Sequence, residues 1–552
     1  MSDRKMTAQE RAEYEKMQAR KRKKAAARKR QEGSAGQGRP ADPRNKSGAR
    51  PKGQPKKGGN KKKGRDNNVS RIIGLVLSGV QAVASIALIV TVFMLGMLPE
   101  KYIGIIAIVL VAALAITACS QLFSRKKGIA GKVFSVLMSV ILLTGTFYIN
   151  KANNTIGKIT GGEYKVDNMV VAVLKDDPAE SIQDAKGYTF GVQYAMSGDD
   201  VKAAVAAING EVGSDIATAE YSGIDKQAEA LHNGEVQAIV YNEGYAGILE
   251  EAFEGYSESV KVIYTHKIKS EVDNSASKVN VKDQTFSVFI SGIDVYGPIE
   301  TNSRSDVNII ATVNPSTHQI LLITTPRDYY VEIPGISNGQ LDKLTHAGIY
   351  GVDASMRTLG QLYDMNIDFY ARVNFTSLVD IVDVLGGVDV NSELAFTTSP
   401  DSGLVMDVQQ GINHFNGEQA LAFSRERQNV PGGDNQRGKD QQAVITAMIK
   451  KMISPSMLIN ANGIINSVSG NVETNMSQEQ IQALVKDQLN GGGAWNIKSM
   501  AAEGTADSQY CFSYTGMPLY VTQPDQASVD AIKAAVDQVE NGETLTDSEV
   551  AQ

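Results

Sequence analysis

Three long apolar runs stand out early in the chain, at Ile72 to Leu98, Tyr102 to Phe123 and roughly Val133 to Ile149. Each comes close to the ~20 residues that carry a helix across ~30 Å of hydrocarbon. Ile129 and Ala130 lengthen the third run, and Lys132 can extend its ammonium to the headgroups. Three crossings are therefore expected, at about 72–98, 102–123 and 129–149, in preference to buried soluble helices. A cleaved signal peptide does not fit, because 68 polar residues precede the first run and the runs follow one another.

From about Asn168 the pattern shortens and alternates. "MVVAVL" (169–174), "YTFGVQ" (188–193), "VQAIVYN" (236–242) and "VKVIYT" (260–265) predict strands. "GDDVKAAVAAI" (198–208), "DKQAEALHNGE" (225–235) and a stretch near 246–253 predict helices. Strand and helix in turn imply a small α/β accessory module over 151–268 with a largely parallel sheet. Its "AKGYTFGVQ" and "ALHNGEVQAIVYN" resemble pieces of one lobe of the periplasmic solute-binding fold.

Polar "KSEVDNSASKVNVKDQ" (269–284) predicts a linker. A second α/β domain follows over 285–540, with strands expected at 286–291, 307–313, 320–325 and 388–391. Helices are expected at 352–364, 376–385, 435–453 and 477–488, and residues 541–552 are expected to form a disordered tail.

Charge divides the chain of 552 residues sharply. Residues 1–68 hold 23 Lys and Arg against 7 Asp and Glu, net +16, whereas 152–552 hold 25 against 53, net −28. The basic tail and the "SRKK" loop (Ser124 to Lys127) flank one side of the expected helices, and "PEK" (Pro99 to Lys101) the other. The bias of Lys and Arg toward the cytoplasm puts the N-terminus inside and, after three crossings, residues 150–552 outside a multi-pass membrane protein. The tail, with "RKRKKAAARKR" at 20–30, is too polar to bury a core and suits anionic lipid headgroups better than nucleic acid. Cys119 in the second span and Cys511 outside cannot pair.

The candidate chemistry gathers around "ETNSRSDVNIIATVNPSTHQILLITTPRDYYVEIP" (300–334). If 307–313 and 320–325 form a hairpin, Arg304, Asp306, Arg327 and Asp328 converge at its open end. A preceding strand parallel to the second would bring Asp294 of "SGID" to the same edge, where α/β sheets place ligands. Arg425 and Arg427 of "SRER" are two apart, hence on one face if extended. "PGGD" can hand Asp434 to a helix as its cap, with Arg437 and Gln441 sharing a face of that helix. Arginine forks with Lys343 suit a polyanion such as pyrophosphate, and Asp294 with Asp306 suit a hard divalent cation bridging it. A set of surface ion pairs is the structural alternative. Among other chemistries, the P-loop, His-Glu-x-x-His and Cys-x-x-Cys motifs are missing from the sequence. His346 fits a structural role better than a catalytic one, and Gly386 and Gly387 fit a helix end turning into a strand.

The ordered blocks "SGID", "RSDVNII", "TTPRDYYV", "DKLTHAGIYG", "VDVLGGVDV", "FNGEQALAFSRERQ" and "GGDNQRGKDQQ" resemble the LytR-CpsA-Psr family over about 286–539. The resemblance implies an α-β-α catalytic domain that moves a glycopolymer, of capsular polysaccharide or teichoic acid type, from a polyprenyl pyrophosphate carrier to a peptidoglycan hydroxyl. It implies Mg2+ or Mn2+ on Asp294 and Asp306. Phosphate oxygens would meet Arg304, Arg327, Lys343, Arg425, Arg427, Arg437 and Gln441, with Asp434 as base. It also implies an apolar tunnel for the polyprenyl tail, although a packed core explains the same strand alternation. Two departures are visible: "TTPRD" where "SIPRD" is usual, and Asp440 after Lys439 where an Arg often precedes the Gln pair. Competing functions are a membrane receptor or regulator of envelope biogenesis and a polyprenyl-pyrophosphate hydrolase. No helix-turn-helix pattern supports specific nucleic-acid recognition by the tail.

Overall fold

The computed structural model describes residues 62–123, 128–159, 164–271, 278–293, 299, 302–454, 457–458, 472–491 and 493–546, apart from the side chains of 62–67, 152–159, 164–165, 271 and 434. The basic tail up to residue 61, the "SRKK" loop and Asp294 therefore lie outside the described residues. The chain divides into a membrane-helix unit and a unit from Lys151 onward.

Helices α1 (Lys62–Leu95), α2 (Glu100–Phe123) and α3 (Ile129–Ile159) each contain a stretch long and apolar enough to cross a membrane. Ala84, Leu110 and Leu142 share a small core. Phe93, Ile108, Ile116 and Phe147 instead point outward, an inversion of the soluble pattern that fits lipid. Ser85 and Ser139 donate to the carbonyls of Gln81 and Ser135, both at 2.8 Å, so these hydroxyls are satisfied without water. The chain is a multi-pass membrane protein.

The accessory module holds β1 (Tyr164–Leu174), β2 (Thr189–Val192), β3 (Ala217–Glu220), β4 (Ala238–Asn242) and β5 (Val260–Glu271) in the order β3-β2-β4-β1-β5. β2 pairs parallel with β3 and β4, but β1 runs against both β4 and β5, so the sheet is mixed where a largely parallel one was expected. β3 has no apolar run to announce it, and β5 extends to Glu271, past the expected start of the linker. Between them lie α4 (Gly198–Val212), α5 (Ile224–His232), α6 (Ala246–Ala252) and α7 (Tyr256–Ser259). Val171 and Val173 of β1 face one core with Phe190, Val201 and Ile208. Val170 and Ala172, alternating with them, face a second core that also takes Cys511, Tyr514, Leu519 and Val521. Those four belong to a late hairpin, β18 (Gly504–Cys511) and β19 (Tyr514–Pro524), so the module does not close its core alone.

The larger domain is built on β6 (Phe286–Ile293), β7 (Ser305–Asn314), β8 (Gln319–Thr324), β11 (Phe369–Asn374), β16 (Val472–Thr474) and β17 (Asn496–Ala501), ordered β16-β11-β6-β7-β8-β17. β6 and β11 are parallel, as are β8 and β17, while β7 opposes its neighbours. Alternation along the hairpin serves two faces. Phe289, Ile310, Leu321 and Ile323 pack on α9 (Val352–Tyr363) and α14 (Gln526–Glu540), whereas Ile309, Ala311, Ile320 and Leu322 pack toward α12 (Asp434–Met452). The result is an α/β domain with a mixed sheet between helical layers. Smaller elements complete it: β9 (Tyr330–Glu332) pairs with β10 (Leu341–Lys343), β12 (Val388–Ser392) with β15 (Gly411–Phe415), and β13 (Phe396–Thr397) with β14 (Asp407–Val408). Short α8 (Leu344–Ala347) follows β10. α10 (Phe375–Val384) and α11 (Gly417–Arg425) begin with capping boxes, Asn374 with Ser377 and Asn416 with Gln419, and α13 (Gln478–Gly491) precedes β17. The segment expected to be a tail from 541 instead returns to the sheet at its start: Leu545 is buried and its N–H donates to Gln319 Oε1 at 2.9 Å.

Candidate anion-binding site

β7 starts and β8 ends at one end of the sheet, because the hairpin pairs Ile309 with Thr324 and Asn314 with Gln319. The Asn314 side chain fixes the turn by accepting N–H bonds from Ser316 (3.0 Å) and Thr317 (3.1 Å). Arg304 and Asp306 accordingly meet Arg327 and Asp328. Asp306 Oδ2 accepts from Arg327 Nη1 at 2.7 Å, and Oδ1 accepts from the Thr345 hydroxyl at 3.0 Å. Burial alone would raise the Asp306 pKa, but the charges of Arg327, Arg304 and Arg437 and the Thr345 hydrogen bond outweigh it and hold the carboxyl well below the usual range. Asp306 is thus a fixed anion with three arginines around it.

Asp328 stands between two cations, with Oδ2 3.5 Å from Arg327 Nε and Oδ1 3.4 Å from Lys343 Nζ. Lys343 is buried at the end of β10, and its ammonium also pairs with Glu251 of α6. Arg327, Asp328, Lys343 and Glu251 line a pocket of about 230 Å³ together with Arg427, Gly433 and Tyr520. A larger hollow of about 550 Å³ opens between Phe286, Asn314 and Asn541, at the other end of β6 and β7. Its lining holds Asp283, Asp368 and Glu540 and no Lys or Arg, so it does not suit an anion.

Two expectations about the arginine segment change. Arg425 is the last residue of α11 rather than part of an extended stretch, so the argument that it shares a strand face with Arg427 fails. Its guanidinium lies over the Phe375 ring, 4.6 Å from the centroid, while Arg427 reaches the pocket. The break between them is made by Glu426, fully buried, whose carboxylate accepts the backbone N–H groups of Arg427, Gln428 and Asn429 at 2.9, 2.7 and 3.0 Å and that of Ser399. Asp434 is the first residue of α12 and Gly433, at φ 54, is its cap, which corrects the expected Asp434 cap. Its side chain lies outside the described residues, as does Asp294.

Arg437 is on α12 close enough for its charge to act on Asp306. Gln441 donates to Ser424 O at 3.3 Å and so ties α12 to the end of α11. Its neighbour Gln442 is structural, donating to Leu322 O (2.9 Å) and Met500 O (3.0 Å) across two strands. Asp440 is buried within the helix packing and accepts from Gln436 at 3.1 Å. Burial, with Glu393 and Glu426 adding to it against Gln436 and Lys439, pushes its carboxyl up to about 7. His346 is fully buried, with Nδ1 2.7 Å from both Asp342 and Ser513 Oγ, in keeping with a structural role.

Among the described residues no three His, Cys, Asp or Glu come together as a metal site. Asp306 nonetheless offers hard, ionised oxygens beside a cationic pocket. A Mg2+-type ion held by one or two carboxylates and completed by substrate phosphate oxygens needs no third protein ligand, so the donor chemistry fits. Thr345, Glu426 and Glu251 were not foreseen from the sequence, whereas Asp328 was placed at the hairpin's open end but given no role. Glu426 had a readable signal, an acid between two arginines; the Glu251 contact had none.

Residues 252–537 match the LytR_cpsA_psr family. Two relatives bear the name polyisoprenyl-teichoic acid–peptidoglycan teichoic acid transferase TagU. That of Bacillus mycoides (strain KBAB4) is 35% identical over 245 residues, 43% of this chain and 77% of that protein. That of Enterococcus faecalis (strain ATCC 700802 / V583) is 35% identical over 242 residues, with the same shares. The crystal structure of Bacillus subtilis TagV aligns over 48% of this chain and 100% of its own, at 26% identity and a TM-score of 0.39. The match spans more than half of the chain and takes in every described arginine of the site, so this protein belongs to the LytR-CpsA-Psr family.

Proposed function

We propose that this protein is a membrane-anchored transferase that moves a glycopolymer from a polyprenyl pyrophosphate carrier to a peptidoglycan hydroxyl and releases polyprenyl phosphate. The observation that carries the reading is the Asp306 carboxylate held ionised among Arg327, Arg304 and Arg437 beside the Lys343 pocket. The names of the TagU relatives point the same way.

In this mechanism Arg327, Lys343 and Arg427 take the pyrophosphate oxygens, with Arg304, Arg425 and Arg437 supplying further positive charge and Gln441 a neutral donor. The acceptor hydroxyl oxygen attacks the phosphorus that bears the glycan. The bond from that phosphorus to the bridging oxygen breaks, and polyprenyl phosphate leaves with the bond's electron pair. Asp434, at the start of α12, takes the hydroxyl proton. Asp306 and Asp294 would hold Mg2+ or Mn2+, which supplies charge neutralisation on the pyrophosphate. Because little covalent chemistry falls to the protein, fixed positive charge and alignment account for most of the acceleration. The domain limits read from the sequence, with 151–268 as accessory module and 285–540 as catalytic domain, fit this division of labour. So do a cytoplasmic N-terminus whose basic tail meets anionic lipid and an extracellular site.

The test uses the full chain in detergent with a polyprenyl-pyrophosphate oligosaccharide, magnesium and peptidoglycan fragments, read by mass spectrometry. Glycan transfer that disappears in both Asp306→Ala and Arg425→Ala supports the reading. Release of lipid phosphate without dependence on acceptor would favour hydrolysis, and no turnover or binding would favour a receptor.

A further inference from the structure

Helix α6 brings the accessory module into the anion site. Its Glu251 carboxylate accepts a hydrogen bond from Lys343 Nζ, whose other flank faces Asp328 Oδ1 at 3.4 Å. One turn earlier, a Cβ added to Gly247 would fall 2.7 Å from Arg304 Cζ, so the helix backbone lies flat against a second site cation. Positions 247 and 251 share one helix face. The rest of the helix is anchored in its own module: Ile248 and Leu249 are fully buried, and Glu250 accepts from the N–H groups of Gly255 (3.0 Å) and Ser257 (2.7 Å).

The Lys343 side chain is only 2% exposed. An ammonium removed from water to that degree requires a counter-ion, and a carboxylate or a phosphate oxygen can serve. Glu251 and Asp328 already share this ammonium, and a phosphate would be a third anion there, repelled by both, since like charges within ~4–6 Å disfavour the charged forms. The pocket at present opposes Arg327, Lys343 and Arg427 with the two carboxylates of Glu251 and Asp328. Asp328 is tied to both Arg327 and Lys343, whereas Glu251 is a third exposed and comes from the other module.

We propose that Glu251 is an intramolecular occupant of the phosphate subsite at Lys343 and leaves it when pyrophosphate binds. The accessory module thereby sets the affinity of the site and moves with its occupancy. The inference rests on the pyrophosphate reading of the pocket.

The test is titration of the detergent-solubilised full chain with geranyl pyrophosphate and magnesium by calorimetry, comparing wild type with Glu251→Gln, which keeps the shape and an acceptor oxygen but loses the charge. The variant is expected to bind about fivefold tighter or more. Hydrogen exchange over 246–252 is expected to quicken on ligand addition in wild type and to change little in the variant. Binding that is equal or weaker in the variant overturns the inference alone. If neither protein binds the probe, the pyrophosphate reading falls and this inference with it.

Discussion

Glu426 supplies a sharp test of how the arginine segment is held. Replacing it by Ala removes a buried carboxylate that accepts four backbone N–H groups. Ser399 is itself buried, so its orphaned N–H has no water to turn to and costs ~1–3 kcal/mol. Arg427, Gln428 and Asn429 are exposed, so their N–H groups recover hydration and lose about 0.5 kcal/mol each. Together the loss is about 3 kcal/mol, concentrated in the loops at 397–403 and 426–430. Hydrogen exchange of the full chain in detergent should accelerate in those two segments and little elsewhere. Glycan transfer should fall by about 100-fold or more, because Arg425 and Arg427 flank the lost anchor. Burial alone would raise the Glu426 pKa, but the N–H groups of Ser399, Asn429 and Gln428 lower it below the ordinary value. A depressed folded pKa means the stabilisation is complete above the unfolded value of ~4.3 and is lost as pH falls through the folded one. The part of the gap between wild type and Glu426→Ala that comes from these N–H bonds should hence be complete at pH 5 and close only in stronger acid, while loss of the Glu426 charge also relaxes Asp440 and narrows the gap as pH rises toward 8. Unchanged exchange at 397–403 together with unchanged transfer would refute the reasoning.

Asp306→Ala should abolish the charge balance among Arg304, Arg327 and Arg437, lowering stability by about 3 kcal/mol and transfer by about 100-fold or more, measured by thermal unfolding and mass spectrometry. Since the Asp306 pKa is depressed, its ion pair is complete above about pH 4 and lost only in stronger acid, so it should contribute no limb to a pH–rate profile between 5 and 8. Asp440 behaves oppositely: with its carboxyl raised to about 7, the folded state holds a proton that the unfolded chain has released, and stability declines as pH rises from about 4 to 7. Asp440→Asn should remove that decline, a gain on the order of 4 kcal/mol at pH 8 and almost none at pH 4 in thermal unfolding compared across pH.

Much of this architecture is visible in the residue pattern, and the gaps have physical causes. β6, β7 and β8 read as nearly continuous apolar runs because each face meets its own helical layer, so their limits and the meeting of Asp306 with Arg327 could be foreseen. β11 escapes because Arg372 interrupts its apolar pattern. That arginine is 3% exposed and paired with Glu473 at 3.1 Å and with Asn302 at 3.3 Å, a solution that only the fold provides. α11 escapes because Gly417 sits in its first turn; that glycine is required where a Cβ would lie 2.3 Å from Val379 O, as α10 presses against it. The Arg425 to Arg427 geometry depends on Glu426 reaching Ser399, and the Lys343 contact on Glu251 from another module. Neither partner is close in sequence, and local periodicity carries no information about such pairs.

The β18–β19 hairpin constrains how the protein can be made. A ribosome completes the accessory strands early and delivers Cys511, Tyr514, Leu519 and Val521 only after every strand of the larger sheet, yet these complete the core around Val170, Ile224 and Leu231. Until then that face stands bare, and closing it requires a loop that encloses the whole larger sheet, a slow step that exposes the nascent protein to aggregation. A stop codon just after Ala502 would spare the arginines of the site and still leave a chain without its shared core, destined for proteolysis rather than for reduced activity.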